Sequence, residues 1–372
     1  MMTDEKNRLN RRSFLRWGAA GLAGLCVNPA AGNRQEAQKP EVKTAKDRFI
    51  HRTLGKTGLK LPIVSMGVMN SDNPNLVRAA LDRGIILLDT AHGYQRGRNE
   101  TMIGEVVKGR PRDSYLIATK VSGAGRERRS GDFSPESTTE TFLEMFDTSL
   151  RRLGLDYVDI LHVHDVSSKE QALFEPILKG LQTAKKSGKA RFIGVSTHGG
   201  QTEVLRAVVE GKVHDVVLAA YNFRQNNREE MGRAIAEAAH AGVGIIAMKT
   251  QAGRFWDREK QQPINMKAAL KWVLNNPNVT TAIPGMTTFD QLEDDLAVMG
   301  DLTLTEQEKQ DLRLETTSAG FYCQQCGQCL SACREGLPVP SLMRSYMYAY
   351  GYGNLGAAYD LLQEIDAPQS AC

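Results

Sequence analysis

The chain has 372 residues, with 47 basic and 43 acidic side chains and a net charge of +4. That length is large for one average domain but normal for a barrel carrying extensions. The mild charge, with no basic block interleaved with aromatics, argues against nucleic acid as a partner.

Residues 1–32 read as an export signal. Lys6, Arg8, Arg11, Arg12 and Arg16 lead into an apolar run from Trp17 to Val27 that is too short for an ordinary membrane span. Arg11-Arg-Ser-Phe-Leu-Arg resembles the twin-arginine signal, with Asn10 where Ser or Thr is usual. The expectation is export through the twin-arginine translocase to the periplasm or an equivalent compartment. Ala30-Ala-Gly32 offers a loose cleavage site, and residues 33–48 are a polar, flexible linker. No later apolar run is long enough to cross a membrane, so no stable span is expected in the mature chain.

From residue 49 the text changes. Arg52 to Pro62 suggests a short hairpin, and eight strand-then-helix units follow. Strands are expected near 63–69, 85–91, 115–121, 157–164, 191–196, 215–221, 244–249 and 280–284. Helical patterns are expected near 76–82, 138–153, 172–186, 202–209, 229–241, 266–274 and 289–299. Runs such as Val243 to Met248 are apolar throughout, as parallel strands shielded on both faces require. Gly84, Gly154, Gly188, Gly211 and Gly242 fall where left-handed helix caps belong. Eight units favour a closed (β/α)8 TIM barrel over 49–315. A doubly wound open sheet is the alternative, but no Gly-x-Gly-x-x-Gly follows an early strand.

Asp89, Tyr94, Lys120 and His164 lie at or just past the ends of three successive strands, and in such a barrel those ends share one face. Reducing a carbonyl requires a hydride donor at carbon and a proton donor at oxygen. A phenol can supply the proton if a nearby ammonium lowers its pKa. Tyr94 would be that acid, Lys120 the cation, Asp89 the carboxylate holding Lys120, and His164 the group orienting the carbonyl. His162 shares a strand face with His164, and the pattern alone leaves both open.

These residues resemble the aldo-keto reductases over roughly residues 50–300. Asp89-Thr-Ala-His-Gly-Tyr94 with Asn99 to Gly104, Leu116 to Lys120, and Tyr157 to His164 carry the likeness, which selects His164. It implies reversible hydride transfer between NADP or NAD and a small aldehyde, ketone or alcohol. The resemblance also sets Ser196, Thr197, Tyr221, Met248, Lys249, Asp294 and Asp295 along the cofactor. Departures are Thr197 for a usual Asn, Leu218 for a Gln, Met248 for a stacking Tyr, and Gly285 and Gln291 for cations that grip a 2′-phosphate. They leave NADP against NAD open and raise a rival reading, a non-catalytic barrel acting as a scaffold for a redox partner.

Residues 316–372 form the last segment. Cys323, Cys326, Cys329 and Cys333 spell C-x2-C-x2-C-x3-C, the spacing of a [4Fe-4S] ligand run, and fit a zinc ribbon poorly. Disulfides are the competing account in an oxidising compartment. The segment also resembles the ferredoxin-like extension of one aldo-keto reductase branch, with Arg334 where Pro commonly follows the last ligand. A small cysteine-rich helical extension is therefore expected, and a redox carrier protein is a candidate partner. The later tyrosines, Tyr346, Tyr348, Tyr350, Tyr352 and Tyr359, are expected to pack this extension onto its neighbour.

Overall fold

The computed structural model describes residues 49–127, 131–257, 259–314, 323, 325 and 327–365. The export signal, the linker and Cys326 lie outside the described residues. Among the described residues no helix is long and apolar enough to cross a membrane.

A two-stranded hairpin, β1 (His51–Thr53) and β2 (Lys60–Pro62), opens the described chain. Eight parallel strands follow: β3 (Met66–Gly67), β4 (Leu87–Asp89), β5 (Leu116–Val121), β6 (Val158–Val163), β7 (Ala190–Thr197), β8 (Val216–Ala220), β9 (Gly244–Met248) and β10 (Thr281–Ala282). They pair in sequence order. The first and last meet through parallel bridges from Val64 to Ala282 and from Gly67 to Gly285, so the sheet curls into a nearly closed (β/α)8 barrel. Ser65 N–H donates to the Ala282 carbonyl at 2.8 Å across that seam.

Alternation along each strand builds two cores. Leu87, Ala118, Ile160, Leu218, Ile246 and Ile283 fill the barrel interior together with Leu54, Leu59 and Leu61 of the hairpin. The opposite strand faces pack on the helices. Gly55 explains how the hairpin plugs the end where strands begin. Its backbone is left-handed (φ 50°), and a Cβ there would lie 2.4 Å from Gly244 N, so only glycine fits.

The helical shell comprises α1 (Pro74–Asp82), α2 (Arg98–Val107), α3 (Thr139–Leu153), α4 (Lys169–Ala172), α5 (Glu175–Lys186), α6 (Gln201–Gly211), α7 (Arg228–His240), α8 (Met266–Leu274), α9 (Phe289–Val298) and α10 (Glu306–Asp311). Thr138 caps α3 by accepting from Thr141 N, and Gly154 ends it in a left-handed cap. Gly84, Gly188 and Gly242 are also left-handed, as expected, but Gly211 is not: α6 runs through it and Lys212 takes the left-handed cap (φ 54°). The helix expected over 172–186 is divided by a break at Leu173 and Phe174, where Pro176 near the start of α5 favours a new beginning.

The last segment forms α11 (Val339–Tyr346), a five-residue π turn at Met347–Gly351, and α12 (Leu355–Glu364). It packs as part of one compact unit with the barrel. The expected packing holds for some of the tyrosines only: Tyr348 and Tyr352 are half-buried and stack on each other at 6.0 Å, whereas Tyr346, Tyr350 and Tyr359 are exposed.

Candidate active site

Three strand ends and one turn deliver the four residues. Asp89 ends β4, Lys120 lies near the end of β5, and His164 follows β6 directly. Tyr94 opens a tight turn in which Gln95 and Arg96 take left-handed backbone angles. Lys120 Nζ donates to Asp89 Oδ1 at 2.5 Å, to the Thr90 carbonyl at 2.6 Å and to Tyr94 Oη at 3.2 Å. All three ammonium donors are therefore engaged. The Tyr94 and His164 rings meet edge-on at 5.8 Å.

His162 goes elsewhere. It is the register partner of both Lys120 and Gly194, fills the barrel interior, and has no hydrogen-bond partner on either ring nitrogen. Gly194 makes room for it, since a Cβ there would lie 2.7 Å from the His162 Nδ1. His164, not His162, is thus the histidine beside Tyr94.

Burial governs the electrostatics. It raises the Asp89 pKa and lowers that of Lys120, and each charge is the main counterweight for the other. The expected lowering of the Tyr94 pKa is not what the site produces. Burial, followed by the Asp89 charge, pushes the phenol above its ordinary value, with Arg344 opposing. Tyr94 therefore carries its proton at neutral pH. His164 is pushed down to about 3, first by burial and then by Lys120, so its imidazole is neutral.

A buried polar layer braces these groups. Thr90 donates to Asn99 Oδ1 at 2.6 Å, Asn99 donates to the Val68 carbonyl at 2.8 Å, and Thr119 donates to Glu100 Oε1 at 2.7 Å. Arg152 reaches Glu100 and the His92 carbonyl from α3. Asn99 and Glu100 belong to the segment that carried the sequence likeness.

The residues expected along a cofactor divide. Ser196, Thr197, Met248 and Lys249 sit at the ends of β7 and β9. Ser196 Oγ accepts from Asp165 N–H at 3.0 Å, which leaves its own proton free to donate, while Thr197 donates to the Gly199 carbonyl at 2.8 Å. Lys249 is left-handed (φ 55°) and pulled down to about 7 by burial, then by Arg344. Tyr221 is not brought to this mouth. Strand alternation turns it outward, where its ring lies 5.1 Å from that of Trp272. Asp294 pairs with Lys267 at 2.8 Å, and buried Asp295 is raised to about 8 by burial and the neighbouring Asp294 charge.

Residues 60–269 match the family model described as the aldo/keto reductase family. The chain belongs to the aldo/keto reductase family. An L-galactose dehydrogenase from Arabidopsis thaliana is 31% identical over 68% of this chain and 88% of its own length. An L-glyceraldehyde 3-phosphate reductase from Escherichia coli K12 is 26% identical over 69% of this chain and 90% of its own. Among solved structures, an aldo-keto reductase from Bacillus halodurans in its holo form shares the fold, with a TM-score of 0.58 and 24% identity over 74% of this chain and 99% of its own. These relatives mark this aldo/keto reductase as an oxidoreductase.

Sequence reasoning missed the groups that the C-terminal segment brings to the barrel mouth. Arg344 of α11 pairs with Asp165 at 2.8 Å, Asn354 donates to Asn70 at 2.8 Å, and Arg96 pairs with Asp360 at 2.7 Å. The Gln325 carbonyl lies 2.6 Å from where a Gly199 Cβ would stand. No motif announces Arg344. It is one cation in an amphipathic helix.

Proposed function

We propose that this aldo/keto reductase catalyses reversible hydride transfer between a nicotinamide cofactor and a small aldehyde, ketone or corresponding alcohol. The observation that carries the proposal is Lys120, buried between the Asp89 carboxylate and the Tyr94 hydroxyl, with a neutral imidazole alongside. Tyr94 donates its proton to the carbonyl oxygen. Lys120 stabilises the phenolate that remains, and Asp89 keeps Lys120 in place. His164, being neutral, retains one ring N–H with which to hold the same oxygen.

The residues at the ends of β7 and β9 fit a nicotinamide ring: Ser196 keeps a proton to donate, and Met248 presents a soft apolar surface suited to an aromatic face. The bound nicotinamide would supply or accept the hydride. NADP and NAD both suit this reading, since Gln291 Oε1 accepts from Thr287 N–H where a cation would grip a 2′-phosphate. The sugar and sugar-phosphate names of the two relatives favour a hydroxylated aldehyde or its alcohol as substrate.

The proposal extends to a [4Fe-4S] cluster on Cys323, Cys326, Cys329 and Cys333, supported by their spacing and by the Leu337 N–H directed at Cys333 Sγ at 3.4 Å. Among the described residues no three His, Cys, Asp or Glu side chains are gathered as metal ligands, and Cys326 lies outside them. Export by the twin-arginine translocase and exchange with a redox carrier protein belong to the same proposal, supported by the N-terminal motif. The rival scaffold reading draws on Leu218 and Met248, which are both apolar and buried in the barrel.

The deciding experiment is anaerobic purification followed by absorbance spectra, iron and sulfide analysis, and titration with NADPH and NADH. Nicotinamide binding with turnover of an aldehyde panel is the expected result. Folded protein that binds neither nucleotide would overturn the enzymatic reading. Absence of iron would remove the cluster.

A further inference from the structure

The short stretch at His164 and Asp165 is held from four directions. His164 N–H donates to the Val121 carbonyl at 2.9 Å, and the His164 carbonyl accepts from Arg126 at 2.8 Å. Asp165 N–H donates to Ser196 Oγ, and the Asp165 carboxylate accepts from Arg344 at 2.8 Å. Asp165 is left-handed (φ 59°), a conformation disfavoured for an L-residue that persists only where its surroundings enforce it. Three of the four restraints come from the barrel and its loops. The fourth comes from α11, in the segment C-terminal to the barrel.

Arg344 differs from an ordinary docking contact. Arg96 and Asp360 already tie α12 to the turn after β4, through an arginine whose side chain is 65% exposed. The Arg344 side chain is only 9% exposed, and its partner is the residue next to His164. A guanidinium withdrawn from water at that point is expensive unless it is paired, and pairing it with the one carboxylate adjoining His164 links the C-terminal segment to the reducing centre.

We propose that Arg344 is a positioning residue of the active site, supplied by the C-terminal segment: by binding the Asp165 carboxylate it fixes the left-handed turn that sets His164 beside Tyr94. This rests on the reading of Tyr94 and His164 as the carbonyl-reducing centre. The segment is then a structural part of the catalytic mouth, whatever its cysteines bind.

The test compares Arg344→Gln, Arg344→Lys, Asp165→Asn and the double variant Arg344→Gln/Asp165→Asn in the full chain. Asp360→Asn serves as a control for docking alone. Turnover is measured alongside the His164 imidazole titration by NMR. The charges and titratable groups around that ring are Lys120 on β5, His162 on β6, Asp165 beside it, Arg126 and His198 on loops, Tyr94 after β4, and Arg344 on α11.

Arg344→Gln is expected to lower kcat by roughly 10- to 100-fold, as small misplacements near reacting atoms do, with the cofactor KM within about twofold. It should also raise the His164 pKa, because a nearby positive charge is lost. Arg344→Lys should recover part of the rate, and the double variant should cost no more than the worse single one. Should Arg344→Gln not fold, Asp165→Asn and Arg344→Lys carry the same comparison.

The proposal is overturned if Arg344→Gln keeps the wild-type kcat and His164 titration, if the two single effects add, or if Asp360→Asn reproduces them. A wild-type protein that reduces no carbonyl would refute the functional reading. The approach of the His164 and Tyr94 rings, read from NOEs in wild type and Arg344→Gln, would still decide whether Arg344 acts on this turn.

Discussion

Lys120 donates to the Tyr94 hydroxyl across 3.2 Å, and Tyr94 nonetheless keeps its proton, because burial and then the Asp89 charge raise its pKa against the opposing charge of Arg344. The phenol is an acid ready to be used, not a phenolate awaiting a proton. Tyr94→Phe should therefore lower kcat for carbonyl reduction by about 10²- to 10⁴-fold while leaving nicotinamide affinity unchanged. The pH profile offers a second check. Reduction needs the protonated phenol, and a raised pKa keeps it protonated, so no falling limb from Tyr94 should appear below pH 10. A limb near neutrality that vanishes in Tyr94→Phe would show the phenol to be acidic after all.

The Asp89 and Lys120 pair is almost wholly buried, which sets up a contrast between single and double replacement. Lys120→Met strands a carboxylate in the barrel, and Asp89→Asn strands an ammonium. Each should lower unfolding free energy by roughly 3–5 kcal/mol, because the remaining charge is uncompensated. Asp89→Leu with Lys120→Met should recover much of that stability but no turnover. Denaturant titration and rate measurements on the same preparations separate the two effects. A double variant less stable than either single one would count against the pairing argument.

The barrel was legible because its strands are apolar on both faces and its helices end in glycine, so period and punctuation agree. Boundaries slipped where geometry interferes with pattern. The run 63–69 contributes only Met66–Gly67 as continuous strand, with Val64 adding a single bridge to Ala282 across the seam. Asp89, Tyr94, Lys120 and His164 were legible because strand ends converge. Strand periodicity alone does not choose between His162 and His164, since two residues on one strand face look alike; the family likeness makes the choice, and the structure puts His162 inside the barrel and His164 beside Tyr94. The direction of the Tyr94 shift is not legible in sequence, which shows which charges are near but not how much water is removed. Arg344 was invisible because its partner lies 179 positions away.

Five histidines make the fold sensitive to acid, His92 among them, its pKa lowered first by burial and then by the Arg152 charge. Burial is likewise the main cause lowering the pKa of His162, His164, His198 and His214 in the folded chain, His164 to about 3. Below the unfolded value of about 6.5, the unfolded chain binds protons that the folded chain refuses, so stability must fall as pH drops from about 6.5 toward 3. His162→Asn, which removes an interior imidazole outside the reducing centre, should flatten this fall while creating a modest packing defect of ~1–2 kcal/mol at pH 7. Chemical denaturation at pH 7, 6 and 5 measures the slope. An unchanged slope would mean that His162 does not contribute.

Asp295 gives the opposite sign. Burial and the Asp294 charge raise it to about 8, so the folded chain holds a proton that the unfolded chain releases above about pH 4. Its contribution is fully present below that value and is lost as pH rises toward 8. Asp295→Asn keeps the shape and removes the buried ionisation, so it should stabilise the protein by at least ~1 kcal/mol at pH 8.5 and change little at pH 4. The same variant probes the cofactor proposal. If Asp295 accepts from the adenine amine, nicotinamide dinucleotide affinity should change with the substitution while the affinity for nicotinamide mononucleotide, which lacks the adenine, stays constant. Equal changes for both nucleotides would place Asp295 in the scaffold of α9 and take it out of the cofactor site.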